Sequence, residues 1–128
     1  MEHKLYPIIE KLLVPIQGII ARYYGCEFYI VGSALNNPDP RDIDIVAKIP
    51  DELFLAMYGN GKDTIQTWAD DVDNWRFQSE IWKLWARDIS KQGKELTFLI
   101  GRQVDFKTQP ASYFDTIQKP KLLIKRNF

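Results

Sequence analysis

Apolar residues recur every three or four positions near the start of the chain, from Leu5 to Ile20. This spacing places them on one face of an α-helix, so the segment is predicted to be an amphipathic helix. Pro15 lies inside the segment and has no backbone N–H group for a helical hydrogen bond. It is therefore predicted to kink the helix or to divide it in two.

Three later segments have the pattern of β-strands. Glu27–Val31 is short, aromatic and β-branched, and residues 42–47 and 103–108 each alternate polar with apolar side chains. Residues 122–124 near the end of the chain are apolar and are predicted to add a last strand. The strands are separated by turn-rich or helix-forming sequence.

The long region between the second and third strands is predicted to be helical. Asp51–Tyr58 has the pattern of a short helix, and residues 63–90 contain neither proline nor glycine, which predicts one continuous helix. Gly93 is expected to interrupt it, and residues 96–100 fit either more helix or an edge strand. The resulting order of elements predicts an α+β fold, a small mixed β-sheet flanked by helices.

Size and composition narrow the protein class. The 128 residues fit a single domain over 1–128, and a content of 45% hydrophobic and 27% charged residues is typical of a soluble globular protein. Lys plus Arg equals Asp plus Glu at 17 each, which argues against a general nucleic-acid coating protein. A single cysteine, and no apolar stretch near the ~20 residues that cross a bilayer, predict a cytoplasmic protein without a membrane segment.

Candidate chemistry begins with two carboxylates on the second strand. Asp42 and Asp44 are two positions apart, so strand geometry points both to the same face. Asp105 lies between apolar residues on the third strand and joins them if the two strands are neighbours. Carboxylates that close repel each other unless a cation lies between them. Mg²⁺ is the natural candidate because it prefers carboxylate and phosphate oxygens.

A phosphate-binding turn is predicted just before this pair. Gly32 follows a strand and allows a close approach of the backbone to a ligand, and the Ser33 hydroxyl is placed to hold a phosphate. Three basic residues, Arg41, Lys48 and Lys107, flank the acidic positions and are further candidates for nucleotide binding.

Together these motifs resemble a known superfamily. Val31-Gly32-Ser33, then Asp42-Ile43-Asp44-Ile45, and later Val104-Asp105-Phe106 look like the nucleotidyltransferases typified by DNA polymerase beta, in particular the minimal nucleotidyltransferases. The resemblance implies a nucleotidyltransferase fold and an enzyme that uses two Mg²⁺ or Mn²⁺ ions.

The resemblance also implies a role for each site residue. Asp42 and Asp44 would bind both metals, and Asp105 would bind the catalytic metal and help deprotonate the acceptor. Gly32 and Ser33 would hold the triphosphate. The gap from Ser33 to Asp42 is shorter than in many minimal members and lacks their usual Gly and Ser, and this leaves the choice of substrate open.

The expected reaction transfers a nucleoside monophosphate from a nucleoside triphosphate, such as ATP, to a hydroxyl, with release of pyrophosphate. The acceptor is an RNA 3′ end, a protein or a small molecule. Two alternatives stay open. One is a non-catalytic nucleotide-binding or regulatory module, and the other is an interaction subunit of a two-component system.

Two other features compete for a functional interpretation. Asp70, Asp71 and Asp73 form a second acidic cluster, for which a solvated helix face is the favoured interpretation. Four tryptophans, Trp68, Trp75, Trp82 and Trp85, lie close together in the sequence. They are expected to form mainly core, with part of the helix available to a second copy of the chain or to a partner protein.

Overall fold

The computed structural model describes residues 7–23, 25–59, 61, 63–117 and 121–124. The strands are β1 (Glu27–Val31), β2 (Asp42–Ile49), β3 (Gln103–Pro110) and β4 (Lys121–Ile124). The α-helices are α1 (Pro7–Leu12), α2 (Gln17–Arg22), α3 (Asp51–Tyr58), α4 (Thr64–Asn74), α5 (Glu80–Ile100) and α6 (Ala111–Ile117). Short 3₁₀ helices span Val14–Ile16 and Gly32–Leu35.

The four strands form one mixed sheet in the order β3-β2-β1-β4. β1 is antiparallel to both β2 and β4, while β2 and β3 are parallel. A parallel pair needs a long crossover between its strands, and here α3, α4 and α5 supply it. The fold is therefore α+β, with a small mixed sheet as the alternating sequence predicts.

One face of the sheet is buried beneath the helices. Because strand side chains alternate between faces, the inward positions of β2 and β3 are apolar except for Thr108, which is buried and polar. They join residues of the helices in a single core, which includes Ile9, Ile16, Ile20, Phe28, Ile43, Ile45, Phe54, Trp68, Leu96 and Phe106. The opposite face carries the polar positions of the same strands, and the candidate site lies there.

The N-terminal helical segment is divided at Pro15. Within the described residues, α1 ends at Leu12, a 3₁₀ turn with proline in its first positions follows, and α2 begins at Gln17. This confirms the predicted division. The predicted start at Leu5 lies outside the described residues.

The continuous helix predicted over residues 63–90 is wrong, because the chain turns between α4 and α5. Trp75 and Phe77 both have positive φ angles, 54° and 56°, which end the helical path. The Ser79 hydroxyl then caps α5 by accepting from the backbone N–H of Trp82 at 3.1 Å. Asp71 accepts from the backbone N–H of Ser79 at 2.8 Å and fixes the turn between the helices.

Gly93 does not interrupt the helix, contrary to the sequence-based expectation. It lies inside α5, which continues through residues 96–100. A Cβ atom at this position would lie 3.4 Å from the Val104 carbonyl oxygen, which shows that α5 passes close to β3 here. The helix has lost little by including it, since glycine costs only about 1 kcal/mol relative to alanine.

The tryptophans divide between core and surface. Trp68 and Trp85 are buried, with their rings in edge contact at 5.3 Å. Trp75 is 78% exposed, because the turn after α4 directs it away from the core. Among the helices that the structure describes, none combines the length and the apolar character needed to span a bilayer.

Candidate functional site

The parallel pairing of β2 with β3 brings the predicted acidic residues to one place. Asp44 is directly opposite Asp105 in the register, and Asp42 is opposite Gln103. All of these side chains alternate with buried apolar neighbours, so they share the polar face of the sheet. Asp42 and Asp105 are exposed and Asp44 is half-buried.

Asp44 and Asp105 are in direct electrostatic contact. Burial raises the pKa of the Asp44 carboxyl, and the charge of Asp105 and a hydrogen bond between the two side chains raise it further. Lys107 acts in the opposite direction but does not reverse the shift. Among the described residues, neither carboxylate belongs to an ion pair. The pair is thus a place where a proton or a cation is favoured.

The turn after β1 lies directly against this pair. Gly32 has a φ angle of 76°, a conformation that side chains with a Cβ rarely adopt. A Cβ atom on residue 32 would fall only 2.5 Å from Oδ2 of Asp44. Glycine at this position therefore makes room for the carboxylate. The backbone of Ser33 belongs to the same turn, and its side chain lies outside the described part of the structure.

Helix α6 covers the other end of the polar face. The Phe114 ring packs on Tyr29 with ring centroids 4.9 Å apart. Lys48 forms an ion pair with Asp115 at 2.7 Å and lies over the Phe114 ring. Of the predicted nucleotide-binding residues, Lys48 is therefore engaged by α6 at the far end of β2. Arg41 is exposed immediately before Asp42.

Two cavities meet at Asp105. The smaller, of about 180 Å³, lies on the polar face and is lined by Val31, Asp44, Ile45, Val46, Asp105, Lys107 and Gln109. The larger, of about 490 Å³, runs between α5 and the edge strand β3. Asp105 and Lys107 line both cavities. One carboxylate and one ammonium group are thus accessible from two directions.

The donor groups of the site determine whether a divalent cation fits it. Within the described residues, no group of three or more His, Cys, Asp or Glu side chains is arranged to hold a metal ion. Asp44 and Asp105 supply carboxylates at directly opposite positions of neighbouring strands, and Asp42 is two positions from Asp44 on the same face. Carboxylate oxygens are the ligands that Mg²⁺ takes, so the chemistry of the donors suits that ion.

Buried hydrogen bonds hold the strand that carries Asp105. The indole N–H of Trp85 donates to the Thr108 carbonyl at 2.9 Å and to its hydroxyl at 3.0 Å. The Tyr58 hydroxyl lies 3.2 Å from the same Thr108 hydroxyl and donates to Asp88 at 2.6 Å. Burial, with the Asp88 contact, raises the pKa of Tyr58, which stays protonated. α3 and α5 are thereby fixed to β3.

The sequence interpretation did not include the groove beside α5. Ser90, Lys94 and Thr97 line the larger cavity together with Asp105. They lie on one helix and are far from the strand motifs in sequence. The available signal was Gly93, whose position inside a helix marks a close approach of two backbones.

In comparisons with protein-family models, with curated proteins and with solved structures, the chain has no match to any of them.

Proposed function

We propose that this chain is a metal-dependent nucleotidyltransferase that transfers a nucleoside monophosphate from a nucleoside triphosphate to a hydroxyl. The observation that carries the proposal is the strand register that places Asp44 directly opposite Asp105, with the turn at Gly32 directly against Asp44. Two adjacent carboxylates repel each other, and a bound cation would relieve that repulsion, so a cation is expected there. The same residues make up the motifs that resemble the nucleotidyltransferases.

The chain's own residues suggest a division of roles. Asp105 is exposed and borders both cavities, which supports a role in accepting the proton of an acceptor hydroxyl. Lys107 borders the same two cavities and supplies positive charge for a phosphate oxygen. The turn at Gly32 lies beside Asp44 and is assigned the triphosphate, because it is exposed next to the carboxylates that would hold the metal.

The reaction balances without a further reactant. The acceptor oxygen bonds to the α-phosphorus of the triphosphate while the bond from that phosphorus to the oxygen bridging to the β-phosphate breaks. Pyrophosphate leaves with the electron pair, and the hydroxyl proton passes to Asp105. Asp42, Asp44 and Asp105 would hold two Mg²⁺ or Mn²⁺ ions, which supply positive charge against the phosphates when bound.

Calorimetry with a nucleoside triphosphate and Mg²⁺ tests the proposal. The wild-type chain is expected to bind, and Asp42→Asn and Asp44→Asn are expected to lose binding. Asp63→Asn is the matched control, since Asp63 is exposed at the start of α4 and its side chain makes no capping hydrogen bond. Unchanged affinity in both site variants, or equal loss in the control, contradicts the proposal.

Transfer itself is tested by supplying each labelled triphosphate with Mg²⁺ or Mn²⁺ and a cell extract. Label is expected to appear in a product that depends on Asp105. Binding without transfer to any acceptor would instead favour a non-catalytic nucleotide-binding or regulatory module.

A second candidate, an interaction subunit of a two-component system, has one observation in its favour. Trp75 is 78% exposed and contacts Phe77, whose ring packs on Trp82. Exposed aromatic clusters of this kind are enriched at protein interfaces. Light scattering tests whether this surface is an interface: a homodimer that Trp75→Ala weakens favours an interaction role, and a strict monomer leaves a different protein as the partner of the candidate.

A further inference from the structure

The larger cavity is a groove with a mixed lining. Its floor is apolar and includes Ile89, Val104 and Phe106, while its rim carries Lys94, Asp105 and Lys107. A volume of about 490 Å³ is within the range of small-molecule sites, which runs from roughly 300 to 1,000 Å³. The rim holds one acidic and two basic side chains, so the groove carries a net positive charge.

Basic residues continue along the same helix. Arg87, Lys91 and Lys94 are exposed on α5, four and three positions apart, a spacing that keeps them on neighbouring parts of one helix face. Of these three, Lys94 lines the groove. An occupant with a negative charge is therefore favoured over a neutral one.

The groove is less suited to a nucleic-acid strand. Single-stranded nucleic acid is usually held by exposed aromatic rings on which bases stack. The one aromatic residue of this lining, Phe106, is buried and packs against Phe28 with ring centroids 6.0 Å apart. The chain also has equal numbers of acidic and basic residues, 17 each, which gives a long polyanion no general attraction.

We propose that this groove binds the acceptor, and that the acceptor is a small phosphorylated alcohol. The proposal rests on the nucleotidyltransferase function proposed above. The phosphate group contacts Lys94, and a hydroxyl of the same molecule reaches Asp105, where the smaller cavity begins. That hydroxyl attacks the α-phosphorus of the triphosphate, pyrophosphate leaves, and the proton passes to Asp105. Lys94 is a specificity-determining residue that selects a charged acceptor.

Direct binding without triphosphate or divalent cation tests the groove. The probes are ribose 5-phosphate, glycerol 3-phosphate and glucose 1-phosphate, each compared with its unphosphorylated alcohol by calorimetry. At least one phosphorylated probe is expected to bind more tightly than its alcohol. Lys94→Glu is expected to weaken that binding at least about fivefold, since it replaces an attraction with a repulsion.

Lys91→Glu is the matched control, because Lys91 is exposed on the same helix and does not line the groove. It changes the net charge equally and is expected to weaken probe binding much less than Lys94→Glu does, because Lys91 lies outside the groove. Equal weakening by Lys91→Glu and Lys94→Glu would show diffuse attraction and overturn the proposal. No preference for phosphate in any of the three pairs also overturns it.

Transfer assays separate this proposal from the one on which it rests. With Mg²⁺ and triphosphate, label is expected on the bound phosphorylated alcohol, and Lys94→Glu is expected to raise its KM without changing the KM for triphosphate. Label found only on RNA or protein overturns the acceptor proposal and leaves the nucleotidyltransferase standing. The chain could also bind a probe, with weaker binding in Lys94→Glu, and yet bind no triphosphate. That result would support the anion-binding groove and overturn both the nucleotidyltransferase function and the acceptor role.

Discussion

The chain has two acidic clusters, and their carboxylates lie in opposite electrostatic surroundings. In and near α4, Asp70, Asp71 and Asp73 each accept a hydrogen bond, from Gln66, Ser79 and Tyr113 respectively. The side-chain and backbone hydrogen bonds from Ser79 lower the pKa of Asp71. On the sheet, Asp44 faces Asp105 and its pKa is raised by burial and by that second carboxyl.

This difference in surroundings distinguishes carboxylates that stabilise the fold from carboxylates that are suited to binding a ligand. A carboxylate with donors around it is already stabilised as an anion and gains little from a metal. A carboxylate that lies next to another carboxylate is stabilised electrostatically by any cation that binds between them. Within the α4 cluster Asp71 holds the turn between two helices, whereas on the sheet Asp44 has a second carboxyl beside it that raises its pKa.

Asp105→Asn should have the largest effect on the sheet cluster. If Asp105 accepts the acceptor proton, transfer is expected to fall by about 10²–10⁴-fold, the usual contribution of a general base. Triphosphate binding is expected to be largely retained, because Asp42 and Asp44 stay in place. Single-turnover assays and calorimetry on the same preparation measure both quantities. Loss of binding equal to that of Asp44→Asn would contradict this division of roles.

Magnesium and triphosphate together should stabilise the chain through the sheet cluster alone. At ligand concentrations about 100 times Kd, the expected gain is about 2.7 kcal/mol, read as a rise in Tm. Asp44→Asn is expected to lose the gain and, with chelator present, to melt above the wild type because repulsion is removed. Asp71→Asn is expected to keep the gain and to melt below the wild type. An identical response of the two variants would remove the distinction between the clusters.

A smaller effect is expected from pH. Because the pKa of Asp71 is lower in the folded chain, its stabilising contribution is present above its unfolded pKa of about 4 and is lost as pH falls through the folded pKa. The difference in Tm between wild type and Asp71→Asn should therefore shrink in acid. Thermal melts from neutral pH to about pH 3 measure it. A difference that stays constant over this range would mean that the Asp71 charge does not hold the turn.

Alternation was a sufficient guide to the strands and to the polar face. Asp42, Asp44 and Asp105 each lie between apolar residues, so their shared orientation followed from a period of two. Their meeting depended on β2 and β3 being neighbours, which local pattern does not determine. The pairing depends on how the whole connection from β2 to β3 packs, and only the structure shows that the two strands are neighbours.

The helices were harder to delimit because side chains decide their ends. No glycine or proline marks the turn at Trp75, where Asp71 and Ser79 instead bind backbone N–H groups. Helix α6 had no recognised pattern, although its Phe114 and Asp115 determine the surroundings of Lys48. The groove beside α5 is lined by residues of α5 and β3, which only the tertiary structure brings together, so no local pattern contains it.

The parallel pairing of β2 and β3 has a consequence for the order of folding. β1 and β2 are joined by a short connection and pair antiparallel, so they can associate early. Asp105 reaches Asp44 only after α3, α4 and α5 have closed a long loop, which is entropically slow. The two halves of the acidic pair are thus synthesised and paired at different times. During refolding, the β1–β2 amides should gain hydrogen-exchange protection before any metal-dependent signal appears.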